Sequence, residues 1–168
     1  MGLTNAVKIG DRAPDFSLPS NRGRDIALSE FRGKKAVVLF FYPKDNTPGC
    51  TAEACDFRDS HARFVGSGAE VVGVSEDSVA SHEAFASKHD LPMTLLADLG
   101  GKVRALYGIK NTFGFIRGRV TFVIDQEGVV RHIFDSQLQV GRHVTEALEI
   151  VKKIAAEGTA VEGVPQPA

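Results

Sequence analysis

Hydrophobic residues along the chain first form short runs that predict β-strands. Residues 36–42 (AVVLFFY) are apolar at every position, as expected for a central strand that is buried on both faces. Residues 70–75 (EVVGVS) predict the next strand, and residues 95–97 predict a short third one. Near the N-terminus, residues 16–18 and 26–28 alternate across a turn rich in Asn, Arg and Gly, which predicts a β-hairpin.

The remaining hydrophobic positions predict helices and one more hairpin. Helices are expected over residues 51–65, 79–89, 102–107 and 144–155. The last of these has the clearest pattern, because its apolar residues recur three and four positions apart. Two late strands, residues 119–125 and 129–134, are joined by a turn from Asp125 to Gly128 whose composition is typical of a hairpin.

The order of these elements indicates the fold class and the domain organisation. Strand, helix, strand, hairpin and helix predict an α/β fold with a mixed central sheet flanked by helices and an N-terminal β-hairpin extension. This order matches the thioredoxin-like arrangement, although order alone does not distinguish it from several other folds. Residues 1–157 are expected to form a single domain, and residues 158–168, with Gly and Pro and few large apolar side chains, a flexible C-terminal tail.

Charge and composition exclude several classes of partner. The formal net charge of −1 gives no electrostatic reason to expect binding to nucleic acid. The longest apolar run is too short to cross a bilayer and no secretory signal is apparent, so we expect no membrane partner and a cytoplasmic location. The histidines show no paired metal spacing and the glycines form no phosphate loop or dinucleotide fingerprint, so neither a metal nor a cofactor is expected.

The two cysteines, Cys50 and Cys55, are the residues that carry candidate chemistry. In a reducing cytosol such a pair is more often reactive or metal-binding than a permanent disulfide. Cys50 follows a buried strand and a short polar loop and stands where the next helix begins, after Pro48 and Gly49. The unpaired N–H groups and the positive dipole end of a helix favour the thiolate, which is the nucleophilic form of cysteine.

The residues around Cys50 resemble the active site of the peroxiredoxin family. The pattern Pro43-x-x-x-Thr47-x-x-Cys50 is similar to the active-site motif of that family, and Cys55 five residues later is typical of the peroxiredoxin Q, or bacterioferritin comigratory protein, subgroup. Residues 49–59 (GCTAEACDFRD) also resemble that subgroup, as does the segment that begins at Arg119 (RVTFVID).

This resemblance implies a thiol peroxidase that reduces hydrogen peroxide and organic hydroperoxides. Cys50 would attack the peroxide, with Thr47 and the backbone N–H groups near Gly49 holding its oxygens. Arg119 would stabilise the thiolate and the charge that develops as the O–O bond breaks. Glu53 would orient this arginine, and Pro43 would shield the thiolate from water.

The resemblance also implies that Cys55 captures the Cys50 sulfenic acid in an intramolecular disulfide, which thioredoxin or a glutaredoxin-like protein would reduce. On an ideal helix, residues five positions apart have Cα atoms about 8.7 Å apart. Disulfides rarely span more than about 7 Å. We therefore expect the helix to be intact in the reduced protein and locally unwound in the disulfide form.

Several alternatives remain open at this stage. A thioredoxin-like dithiol oxidoreductase would have Cys-x-x-Cys, which this chain lacks. A thiol redox sensor or holdase would use the same cysteines without turnover. Arg117 competes with Arg119 for the catalytic position, and Phe113 and Phe115 line a substrate entrance or pack in the core. No third cysteine is present to bridge two subunits, so a monomer is expected, although some relatives dimerise.

Overall fold

The protein folds around a five-stranded mixed sheet with a separate N-terminal hairpin. The computed structural model describes residues 6–112, 114 and 116–163, and describes side chains only as far as residue 157. The hairpin consists of β1 (Ser17–Pro19) and β2 (Asp25–Ala27). The sheet strands are β3 (Ala36–Phe41), β4 (Ala69–Ser75), β5 (Thr94–Ala97), β6 (Val120–Ile124) and β7 (Val130–Asp135).

The order of the strands across the sheet is β5-β4-β3-β6-β7. Strand β3 pairs with β4 in parallel and β4 with β5 in parallel, whereas β6 is antiparallel to both β3 and β7. The predicted mixed sheet and the late hairpin are therefore confirmed. The first residue of β6 follows Arg119 directly, and β6 lies beside the strand that leads to Cys50.

In the part of the chain that the structure describes, five helices cover the two faces of the sheet. They are α1 (Pro48–Asp59), α2 (His61–Gly66), α3 (Val79–His89), α4 (Lys102–Leu106) and α5 (Val140–Gly163), and a single 3₁₀ turn spans Leu28–Phe31. All six residues of β3 are buried, because Val38 and Phe40 face one hydrophobic cluster and Leu39 and Phe41 face the other. Helices α1, α2, α3 and α5 contribute to the first cluster, and α4 and the hairpin to the second.

The structure divides the helix expected over residues 51–65 into two. Helix α1 ends at Asp59, and α2 begins at His61 after Ser60, whose φ of −102° and ψ of 4° interrupt the helical path. Serine favours helix ends because its side chain competes with the backbone for hydrogen bonds. The change of direction lets Phe64 of α2 pack in the same core as Phe57 of α1, with ring centroids 5.7 Å apart.

Helix α1 begins earlier than the helix that the sequence predicted over residues 51–65, and α5 ends later than the one predicted over residues 144–155. Helix α1 begins at Pro48. Proline suits the first helical position, because its φ is already helical and an N–H at that position would have no partner within the helix. Helix α5 continues to Gly163 and so enters the segment 158–168 that was expected to be a tail. Residues 164–168 lie outside the described part of the chain, and the tail stays a prediction for them.

We predict that Gly73→Ala destabilises the sheet. A Cβ at this position of β4 would lie 2.7 Å from Phe40 Cζ and 2.9 Å from a Leu95 methyl carbon, and both neighbours are fully buried. Such overpacking costs about 1–3 kcal/mol of the free energy of unfolding, which urea denaturation would measure. The control is Gly66→Ala at the end of α2, where the added Cβ meets nothing within 4 Å. Equal stability of the two variants would contradict this packing.

Candidate active site

Cys50 lies in the first turn of α1, at the point where the chain leaves the sheet. The first hydrogen bond of the helix runs from the Thr51 N–H to the Thr47 carbonyl at 2.8 Å. The N–H groups of Gly49 and Cys50 precede that bond, so they lie outside the helical ladder, as the first N–H groups of any helix do. The Cys50 side chain is only 1% exposed, and both cysteines are free thiols.

Arg119 contacts Cys50 and Glu53 with the two terminal nitrogens of its guanidinium group. Nη2 lies 3.4 Å from Cys50 Sγ, and Nη1 donates to Glu53 Oε1 at 2.6 Å. Glu53 follows Cys50 by three residues, so both side chains lie on the same face of α1. All three residues are buried, which strengthens the interactions between their charges relative to those in water.

Arg117 and Arg119, the two candidates for the catalytic arginine, lie in different environments. Arg117 is half exposed and pairs with Glu76, with Nε 2.5 Å from the carboxylate. Arg119 is 4% exposed and is the one that contacts the sulfur. Burial alone would lower the pKa of Arg119, but the opposing charges of Glu53 and Cys50 raise it. A permanently charged guanidinium therefore faces the sulfur atom.

Gly49 provides the space that this contact needs. A Cβ built on Gly49 would lie 3.0 Å from Arg119 Nη2, which is closer than side chains normally approach. Glu53 holds the other terminal nitrogen of the guanidinium, so the group has little freedom to move away. The absence of a side chain at Gly49 thus permits the approach of Arg119 to Cys50.

Thr47 and Pro43 flank the entrance to the first turn and are both partly exposed. The Thr47 hydroxyl donates to the Lys44 carbonyl at 2.9 Å and does not cap the helix. Its oxygen lone pairs are therefore able to accept a hydrogen bond from another group. Cys55 is partly buried in the middle of α1, and Phe113 and Phe115 lie outside the described residues.

Asp45 anchors the loop between β3 and α1. Its carboxylate accepts hydrogen bonds from the Tyr42 hydroxyl at 2.5 Å, the Ser81 hydroxyl at 2.8 Å and His82 Nδ1 at 2.8 Å. His82 Nε2 faces the Leu96 carbonyl at 2.9 Å. Both ring nitrogens thus lie within hydrogen-bond distance of oxygen atoms. This buried hydrogen-bond network ties the loop to α3 and β5.

Arg104 links the two chain segments that carry Cys50 and Arg119. Its terminal nitrogens donate to the Gly118 carbonyl at 2.7 Å and to the Tyr42 carbonyl at 2.9 Å. Sequence reasoning missed this residue, because a single arginine in a short helix looks like an ordinary surface residue. The signal in the sequence was its position between the apolar residues Val103 and Tyr107 in a predicted helix.

No group of three His, Cys, Asp or Glu side chains among the described residues is arranged to hold a metal ion. Within the same part of the chain, no helix is both long enough and apolar enough to span a bilayer.

Comparisons with known proteins point to one family. The model of the AhpC/TSA family matches residues 9–133. The chain is 48% identical over 149 residues to a chloroplastic peroxiredoxin Q of Triticum aestivum, covering 88% of this chain and 68% of the relative.

Solved structures agree with the sequence comparisons. The crystal structure of peroxidoxin BcpB from Mycobacterium tuberculosis superposes with a TM-score of 0.81 at 38% identity, covering 88% of this chain and 98% of the other. A structure of the Xanthomonas campestris bacterioferritin comigratory protein, described in terms of alkyl peroxide reduction, gives a TM-score of 0.78 at 31% identity, covering 89% and 98%.

We predict that Gly49→Ala slows the alkylation of Cys50 while leaving the fold intact. The added methyl group displaces the Arg119 guanidinium, and a hydrogen bond between charged groups contributes about 1.5–3 kcal/mol. Partial loss of this contact is expected to slow alkylation by iodoacetamide at pH 6 by roughly threefold to tenfold. Both proteins would carry Cys55→Ser so that one thiol reacts.

Gly66→Ala is the matched control for that measurement, because it adds the same methyl group to another helix without meeting a neighbour. Its alkylation rate should equal that of the parent. If Gly49→Ala also reacts at the parent rate, the close approach of Arg119 does not govern the reactivity of Cys50.

Proposed function

The chain belongs to the AhpC/TSA family and is a thiol peroxidase of the peroxiredoxin Q type, and we propose that Cys50 is the residue that attacks the hydroperoxide. The observation that carries this proposal is the 3.4 Å contact between Cys50 Sγ and Arg119 Nη2 at the start of α1. A cation thus contacts the sulfur in the first turn of a helix, which is the kind of place where reactive cysteines occur.

In the first step, the Cys50 thiolate attacks the terminal oxygen of the hydroperoxide. The new S–O bond forms as the O–O bond breaks, so cysteine is oxidised to sulfenic acid and the peroxide leaves as an alkoxide or hydroxide. Arg119 stabilises the negative charge as it moves from sulfur to the leaving oxygen. The leaving oxygen takes a proton from water to give an alcohol or, from hydrogen peroxide, water.

The surrounding residues position the substrate for this step. Thr47 accepts a hydrogen bond from the hydroperoxide O–H, a role that suits a hydroxyl whose own proton is directed to Lys44. The N–H groups of Gly49 and Cys50 donate to the peroxide oxygens. Glu53 keeps the guanidinium of Arg119 in place, and Pro43 limits the access of water to the sulfur.

In the second step, the Cys55 thiol attacks the sulfenic acid and releases water, which leaves a Cys50–Cys55 disulfide. Both cysteines are free thiols on α1 in this structure, and an ideal helix keeps residues at this spacing too far apart to bond. The start of α1 must therefore unwind. Oxidation favours unwinding, because an uncharged sulfenic acid binds Arg119 less strongly than a thiolate does.

The extent of unwinding is limited by the core. Phe57 is fully buried and its ring stacks on Phe40 with centroids 4.4 Å apart. Removing such a side chain from the core costs several kcal/mol, about 3–5 for deletion of a buried Phe side chain. Unwinding should therefore stop before Phe57.

The exposed disulfide is then reduced by a thioredoxin-type protein or by a glutaredoxin-like protein, and measuring the reduction rate with each of them would decide between the two.

The competing interpretations are weaker. The family relationship favours a catalytic peroxidase over a stoichiometric thiol sensor or holdase. An intramolecular disulfide needs no second subunit, which supports a monomer. The cytoplasmic location stays a prediction, since the plant relatives are named chloroplastic.

We predict that one equivalent of hydrogen peroxide converts the wild type to an internal disulfide in a single turnover. Cys55→Ser should stop at the sulfenic acid, and Cys50→Ser should not react, because it lacks the nucleophile. Thiol counting and mass spectrometry distinguish the three products. Oxidation of Cys50→Ser at the wild-type rate would show that the nucleophile is elsewhere.

A second prediction concerns the conformation of the oxidised protein. Hydrogen exchange of the amides of residues 51–56 should be slow in the reduced protein and fast in the disulfide form, because the helix must open to form the bond. Peroxide-treated Cys55→Ser is the control, since no disulfide holds its helix open. Retention of full protection in the disulfide form would refute the conformational switch.

A further inference from the structure

Arg104 is a buried cation that the proposed mechanism does not use. It lies in α4, and the residue is only 5% exposed. Its Nε has no hydrogen-bond partner among the described residues and lies 3.6 Å from a carboxylate oxygen of Glu76. A buried charge is costly, and apolar residues of similar volume often stabilise a protein more. The contacts that its two terminal nitrogens make therefore call for an explanation other than stability.

Both of these contacts are with the backbone of segments that carry the reactive groups. Nη2 of Arg104 donates to the carbonyl of Tyr42, the first residue after β3, and Nη1 donates to the carbonyl of Gly118, the residue before Arg119. The pairing of β3 with β6 ends at Phe41, the last residue of β3. Arg104 therefore joins the two chain segments just beyond the point where the sheet stops joining them.

Gly118 also packs closely against the segment that follows α4. A Cβ at Gly118 would lie 2.5 Å from the Lys110 carbonyl oxygen and 2.8 Å from a methyl carbon of Ile109. Glycine permits this close approach of two stretches of backbone, because it has no side chain. The backbone of Gly118 is thus held by the Arg104 guanidinium and by the residues after α4, so it has little freedom to shift.

Arg104 is itself fixed to the sheet through Asp98. The buried Asp98 carboxylate accepts hydrogen bonds from the N–H groups of Val103 at 3.0 Å and Arg104 at 2.9 Å. The Asp98 N–H in turn donates to the carbonyl of Ser75, the last residue of β4, at 2.8 Å. The guanidinium is therefore carried by a backbone that is tied to the central sheet, as a group that sets the position of another must be.

We propose that Arg104 is a positioning residue that acts on Cys50 through Arg119. By holding the Gly118 carbonyl at a fixed place beside the end of β3, it keeps the Arg119 guanidinium at 3.4 Å from the Cys50 sulfur. A misplacement of about 1 Å in a reacting group can lower a rate by as much as 10². The inference deepens the proposed function and rests on it for its relevance to peroxide reduction.

The alternative is a purely electrostatic role for Arg104. Burial lowers the pKa of Arg104, whereas the charges of Glu76 and Cys50 raise it, so the charge of Arg104 also acts on the sulfur. A lysine at this position would keep the charge but would replace the planar pair of terminal nitrogens with a single one. The two roles therefore predict different results for Arg104→Lys.

The first test is the rate at which iodoacetamide alkylates Cys50 in a Cys55→Ser background. Arg104→Met should react about tenfold more slowly, the factor that corresponds to the loss of one hydrogen bond to a charged group. Arg104→Lys should remain slow, because one nitrogen does not restore the bridge between the two carbonyls. The control is Tyr107→Phe, which removes a different hydrogen bond beside α4, from the Tyr107 hydroxyl to the Pro14 carbonyl at 2.7 Å, and should react at the parent rate.

The decisive test is a double-mutant cycle between Arg104 and Arg119. Arg104→Met should slow alkylation about tenfold when Arg119 is present, but less than about twofold in Arg119→Met, because no guanidinium is left there to be positioned. A general loosening of the fold would slow both proteins by the same factor. The cycle therefore separates a positioning role from a merely structural one.

Two results would overturn the inference. One is an Arg104→Met effect of equal size with and without Arg119, and the other is the parent rate in Arg104→Lys, which would show that charge alone suffices. If urea denaturation shows that Arg104→Met does not fold, the cycle is run with Gly118→Ala, which displaces the same carbonyl through its contact with Lys110. Alkylation needs no peroxide, so a failure of the proposed function would be recognised separately in the single-turnover experiment.

Discussion

The contact between the Arg119 guanidinium and the Cys50 sulfur, buried where β6 meets the start of α1, is the interaction on which the rest of the site depends. A buried cation is costly unless it is paired, so the fold must bring Glu53 and the sulfur to Arg119 together. The antiparallel pairing of β3 with β6 does this, because it places the residue before β6 next to the end of β3. Arg104 then fixes the separation of the two strand ends through the Tyr42 and Gly118 carbonyls.

The same constraint connects chemistry with conformational change. Helix α1 supplies both the sulfur and Glu53, so Arg119 holds the first turns of the helix as well as the reactive atom. When oxidation removes the negative charge from sulfur, one of the two contacts that keep these turns folded is weakened. The loop before α1 is anchored by Asp45 and His82, so the proposed unwinding would be confined to the segment that carries the cysteines.

Sequence reasoning predicted the strands and the late hairpin because buried strands are recognisable as continuous apolar runs, as in residues 36–42. Resemblance, rather than periodicity, singled out Arg119 over Arg117, and the structure shows that only Arg119 reaches Cys50. The break at Ser60 was missed because it serves the packing of Phe64, which depends on tertiary neighbours. The role of Arg104 was hidden for the same reason, because only the fold brings the Tyr42 and Gly118 carbonyls to its side chain.

The most direct test of this account is the rate at which hydrogen peroxide oxidises Cys50 in Arg119→Met, measured by stopped flow in a Cys55→Ser background. Arg117→Met is the control, because it removes the same charge from an exposed position two residues away. Loss of one preorganised donor commonly lowers a rate by about 10²–10³. The account predicts a loss of this size for Arg119→Met and a nearly unchanged rate for Arg117→Met. Equal rates in the two variants would contradict it.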